Sequence, residues 1–128
     1  MTRKISLAYL TVPGMDPLAQ VKMASKAGYD YVSLRTIPMG QAGEPQVHLE
    51  NNPGLFASIQ VALEETSLQP LDIELVRVKE DLPRDYRGAF ECAAKLGFTD
   101  VLSSVWTMDH GFAVDCYGKI CEDAKEFG

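Results

Sequence analysis

One phrase recurs along the chain. Ala24-Ser25-Lys26-Ala27-Gly28-Tyr29-Asp30-Tyr31-Val32 returns as Ala94-Lys95-Leu96-Gly97-Phe98-Thr99-Asp100-Val101, and starts again as Ala124-Lys125-Glu126-Phe127-Gly128. In each copy a helical pattern stops on a glycine, which suits the left-handed position just past a helix end. In the first two, an aromatic residue, an aspartate and an apolar run follow, and the run reads as the next buried strand. The third copy has its glycine and no strand after it. The sequence is therefore expected to be a repeating strand–helix protein that stops at a unit boundary.

The rest of the chain fills in the units. Ile5 to Leu10 reads as a first strand, and Asp16-Pro17 opens a helix with an aspartate cap and a proline at its first position. Leu18, Val21 and Ala24 line one side of it. Tyr31 to Thr36 is a second strand, with Val32 and Leu34 on one face and Tyr31, Ser33 and Arg35 on the other. A long polar loop, residues 37–52, leads to a second cap-then-proline signal at Asn52-Pro53 and a helix with the stripe Leu55, Ile59, Leu63 and Thr66. Leu71 to Val78 is the third strand, with Leu71, Ile73 and Leu75 expected on one face and Asp72, Glu74, Val76 and Val78 on the other. A third helix over 85–96 turns Tyr86, Phe90 and Ala93 inward. Val101 to Trp106 is the fourth strand. Asp109 caps a last helix whose stripe is Phe112, Cys116, Ile120, Ala124 and Phe127.

Four strands alternating with four helices require parallel pairing, because each crossover returns the chain to the same end of the sheet. A parallel sheet covered on both faces has near-continuous apolar strands. Here one face carries Ser33, Arg35, Asp72 and Glu74. Only a wet or ligand-binding interior tolerates so many polar groups. The expected fold is thus α/β, a parallel (β/α)4 half of a TIM barrel in a single domain over residues 1–128, completed if at all by a second chain. An eight-unit barrel takes roughly 250 residues, and this chain has 128. A small doubly wound signalling domain is disfavoured because no acidic cluster follows the first strand.

Charge and composition narrow the partners. A net charge of −6 with no basic run gives no electrostatic reason to bind nucleic acid or an anionic membrane. No apolar stretch approaches the roughly 20 residues of a membrane span. The three cysteines, Cys92, Cys116 and Cys121, are odd in number and lack metal-type spacing, so reduced thiols in a cytoplasmic protein are expected.

Ligand sites in barrels lie at the carboxyl ends of the strands and in the loops that follow. Those positions hold Tyr9 and Thr11; Arg35 and the loop with Glu44 and His48; Arg77 and Lys79; and Trp106 with His110. Arg35 can clamp a carboxylate, phosphate or diol by paired hydrogen bonds, or form a salt bridge to Glu74 on the neighbouring strand. Glu74 can serve as a general base or hold Arg35 in place. His48, in the longest loop, is a catalytic candidate, and Tyr9, Arg35, Trp106 and His110 are substrate-binding candidates, with Trp106 as a flat wall for a sugar to stack on. Two distant histidines and no clustered carboxylates make no metal site, and no glycine-rich phosphate loop occurs.

The segments Gly28-Tyr29-Asp30-Tyr31-Val32-Ser33-Leu34-Arg35, Leu71-Asp72-Ile73-Glu74-Leu75-Val76-Arg77 and Ala89-Phe90-Glu91-Cys92-Ala93-Ala94-Lys95-Leu96-Gly97 together resemble the xylose isomerase-like TIM barrels, the sugar phosphate isomerase and epimerase superfamily. The resemblance covers the whole chain but only four of the family's eight units. It implies a divalent metal (Mn²⁺, Mg²⁺ or Zn²⁺) that holds adjacent sugar oxygens during enediolate proton transfer. The family's metal ligands begin on the fifth strand, so they are expected outside this chain, and the chain alone is expected to be inactive. What matches is the substrate side, for a small sugar or sugar acid. The other expectation is a non-catalytic half-barrel that closes as a homo-oligomer over a small polar ligand.

Overall fold

A computed structural model describes residues 3–128. Helix α1 (Pro17–Ala27) starts where Asp16 accepts a hydrogen bond from the Ala19 N–H at 3.0 Å, with Pro17 at its first turn. Helix α2 (Pro53–Glu64) starts the same way, Asn52 accepting from Leu55 N–H at 3.0 Å. Helix α4 (His110–Lys125) is capped by Asp109 on Phe112 N–H. Helix α3 (Arg87–Leu96) is the exception: Tyr86 precedes it and provides no side-chain cap. The two recurring glycines, Gly28 and Gly97, follow α1 and α3 with φ of 81° and 91°, and their N–H groups bond back into the last turn. Only a residue without a Cβ takes that conformation cheaply.

Strands β1 (Ser6–Leu7), β2 (Tyr31–Arg35), β3 (Gln69–Val78) and β4 (Asp100–Val105) form one sheet in the order 1-2-3-4, every pair parallel. Right-handed crossovers between successive neighbours put every helix on the same face. In agreement, residues of all four helices share one core: Val21, Ile59, Phe90 and Ile120 pack there with Val32, Leu34, Ile73, Val76 and Val78 of the strands. A doubly wound sheet would reverse its strand order, and this one does not. The fold is thus a singly wound α/β layer of four units, compatible with half of a barrel.

Three details depart from the sequence pattern. Strand β1 is two residues long, not six, because the chain turns into a short 3₁₀ segment at Tyr9–Thr11. There the Tyr9 N–H leaves the ladder and donates to the Glu74 carboxylate at 3.3 Å. The alternation of β3 changes phase where its register against β4 shifts between Glu74 and Val76. A bulge of this kind sends consecutive residues to one side. Val76 and Val78 therefore join Ile73 in the core, and Leu75 and Arg77 turn to the side of Asp72 and Glu74, opposite to the expectation. Finally, α1 buries Gln20 completely beside Val21 and Ala24, while Leu18 is only partly covered.

Toward the amino ends of the strands, the helix-free face carries a polar ladder. The hydroxyls of Ser6 and Ser33 lie 3.0 Å apart, and Ser33 donates to Asp72. Burial, reinforced by the negative charge of Asp100, pushes the Asp72 carboxyl above its ordinary value of 3.8. The folded chain therefore holds this proton to higher pH than the unfolded chain. Stability from this group falls as pH rises from the unfolded value through the raised folded one. Asp72→Asn keeps an acceptor for Ser33 and removes the charge. Its melting temperature relative to the parent should be higher at about pH 7 than at about pH 3; an offset that does not change with pH would contradict this assignment.

Candidate functional site

Two groupings occupy the carboxyl ends of the strands. The first is an ion cluster around Arg35, the last residue of β2. Its guanidinium bonds Glu44 at 2.7 Å and Glu74 at 3.1 Å, and it lies over the Tyr9 ring at 4.4 Å. Arg35 is 4% exposed, Glu74 2% and Glu44 8%. Two carboxylates thus take both terminal nitrogens of this guanidinium, while its Nε is buried without a partner among the described residues. The second oxygen of Glu44 accepts the N–H groups of Met39 and Gln41 at 2.8 and 3.1 Å, so the pair also folds the loop after β2 back onto the sheet. Tyr9 is fixed at both ends, its hydroxyl accepting from Gly14 N–H at 3.0 Å. Of the two roles open to Arg35 and Glu74, the geometry favours mutual anchoring, because neither has a free side toward solvent.

The second grouping is a cleft of about 200 Å³ between the loops after β2 and β3. Thr36, Met39, His48, Arg77, Asp85 and Tyr86 line it, together with the first turn of α3 at Gly88 and Ala89. Two buried polar atoms here, Thr36 Oγ1 and Arg77 Nε, have no partner among the described residues. Buried polar atoms are nearly always paired in native proteins, so each such atom invites a ligand or water. The guanidinium of Arg77 lies over the Trp106 ring at 4.2 Å and touches the Met39 sulfur at 3.8 Å. Trp106 is 60% exposed, which leaves most of the indole free to meet a solute. Its ring N–H donates to the Ser104 hydroxyl at 3.0 Å.

The expected residues are therefore divided. Tyr9, Arg35 and Glu74 meet in the buried cluster. His48 reaches the cleft, half exposed, with Nδ1 3.6 Å from Glu50. Trp106 stands beside the cleft through Arg77. His110 is exposed at the first position of α4 and does not line the cleft. Sequence reasoning missed Thr36, Met39 and the open first turn of α3. The one local signal for that turn was a tyrosine, which provides no side-chain cap, at the position before Arg87. Among the described residues, no three His, Cys, Asp or Glu side chains come together to hold a metal ion. The three cysteines are free thiols, and burial raises that of Cys92. No helix among the described residues is long and apolar enough to cross a membrane. The chain matches no protein-family model and no curated protein.

Proposed function

We propose that this chain forms the first four units of a sugar isomerase- or epimerase-like (β/α)8 barrel, with the helix-free face of its sheet as part of the lumen. The observation that carries this reading is the consecutive strand order combined with buried charged and hydroxyl side chains on the helix-free face. A flat sheet with helices on one side would leave that face to bulk water. A closed ring makes it an interior, where Ser33, Arg35, Asp72 and Glu74 have a reason to be polar.

In this reading Arg77 and Trp106 form the substrate-facing rim. An indole face packs against the C–H face of a sugar, and a guanidinium donates to its hydroxyls or carboxylate. Arg35, Glu44 and Glu74 hold the loop after β2, which lines the cleft beside that rim. Among the described residues no site for the divalent metal implied by the resemblance assembles; in this reading its ligands lie on the completing strands.

Trp106 is the sole tryptophan and reports directly on the rim. Sugars and sugar acids of the correct class should change its fluorescence saturably, and Arg77→Ala should weaken that response about tenfold, as expected for loss of a charge-assisted contact. A flat titration across neutral sugars and sugar acids, with the protein folded, would sink the reading. A second reading, in which two copies close the ring, is supported by the open flanks of the sheet. Strand β4 pairs only with β3 among the described residues, and Leu102, Val105 and Tyr117 are exposed beside it, as are Ile5 and Leu10 near β1. Native mass spectrometry separates the two, a dimer of this chain favouring the second.

A further inference from the structure

The cleft beside Arg77 has an unusual end. The amide of Arg87 is taken by the Asp85 carboxylate at 3.1 Å, and that of Phe90 closes the first helical turn on Tyr86 O at 2.9 Å. Between them, the N–H groups of Gly88 and Ala89 have no acceptor among the described residues, and both residues line the cleft. Amides in the first turn of a helix carry the positive end of the helix dipole and bind oxyanions well. A second feature is independent of the helix. Thr36, just past the end of β2, is 3% exposed and lines the same cleft, and its hydroxyl has no partner among the described residues. The third is Arg77, with its Nε buried and unpaired.

The carboxylates nearby do not occupy this position. Asp85 is engaged with the Arg87 amide, and Glu50 faces His48 while its aliphatic part packs against Gly88, where an added Cβ would come within 3.1 Å. We propose that the cleft is an oxyanion subsite, taking a carboxylate or phosphate group at the first turn of α3 between Thr36 and Arg77. The site needs no other chain. Only the identity of the molecule bearing the oxyanion rests on the sugar-binding reading above, which would then favour an acidic or phosphorylated sugar over a neutral one.

Inorganic phosphate and glycolate, titrated separately at constant ionic strength into ¹⁵N-labelled protein, test this and tell the two oxyanions apart. At least one should shift the Gly88 and Ala89 amide resonances saturably, with chloride ineffective. Thr36→Val, which removes one hydroxyl at nearly constant volume, should weaken binding about fivefold or more. Arg77→Gln should do the same from the opposite wall, and provides the answer if the threonine variant is unstable. Arg84→Ala, which removes an exposed cation stacked on Phe112, should leave it unchanged. Unmoved Gly88 and Ala89 amides, or binding indifferent to both cleft variants, overturns the subsite. Saturable Trp106 responses to neutral sugars alongside unmoved amides would leave the barrel reading standing without it.

Discussion

Arg35→Ala should lower stability by about 3–5 kcal/mol, the usual cost of breaking a buried ion pair by deleting one partner. That corresponds to a fall in melting temperature of roughly 10 °C or more for a domain of this size. The loss comes less from missing attraction than from what remains. Glu44 and Glu74, both under a tenth exposed, would face each other without a cation, and Tyr9 would lose the guanidinium over its ring. A compensated variant separates these contributions. With Glu44→Gln and Glu74→Gln added to Arg35→Met, no charge is left stranded, and much of the stability should return. Equilibrium urea unfolding of the three proteins is the measurement, and a loss below about 1 kcal/mol for Arg35→Ala would place the pair in the class of exposed ion pairs instead.

The same cluster predicts acid sensitivity. Burial alone would raise the Glu44 carboxyl, but the hydrogen bond from Arg35 and the N–H groups of Gln41 and Met39 outweigh it and hold the group below its usual 4.5. The native state then binds fewer protons than the unfolded chain. The stabilisation is complete above the unfolded value and is lost as pH falls through the folded one. In Arg35→Ala this acid sensitivity should weaken, since only the N–H groups of Gln41 and Met39 are left to oppose burial at Glu44.

Much of the fold was legible because its signals are local. Asp16-Pro17, Asn52-Pro53 and Asp109 mark helix starts by chemistry confined to three or four residues, and Gly28 and Gly97 mark helix ends in the same way. The Arg35–Glu74 contact was also foreseeable, as both lie on the polar faces of neighbouring strands. What escaped depends on distant partners. Tyr9 looks like strand until Glu74, 65 residues away, takes its N–H. The phase change in β3 needs the register of β4 to be known. The cleft is assembled from three separate segments and is visible in none of them alone. Thr36 reads as an ordinary strand-end threonine until its hydroxyl is found buried without a partner.

Gln20 illustrates a signal that was present and passed over. Pro17, Gln20, Val21 and Ala24 follow the i, i+3, i+4, i+7 spacing of a buried helix face, and a glutamine on such a stripe needs partners inside, which its nitrogen finds and its buried Oε1 does not among the described residues. Its amide nitrogen donates to the carbonyls of Leu7 at 3.1 Å and Ser33 at 2.8 Å, pinning α1 across the junction of β1 and β2. With only Ser6 and Leu7 in β1, this side chain supplies a large share of what holds that strand. Gln20→Ala should cost about 2–5 kcal/mol, from two weakened carbonyl contacts and the cavity left behind. It should also speed hydrogen exchange at β1 far more than at β3. Gln20→Glu distinguishes hydrogen bonding from volume: it fills the space but, when ionised, offers no donor to either carbonyl and buries a charge. That variant should be less stable than Gln20→Ala near neutral pH and should regain stability as acid protonates the carboxyl. Equal stability of the two variants at every pH would mean that packing, not the paired donors, is what Gln20 contributes.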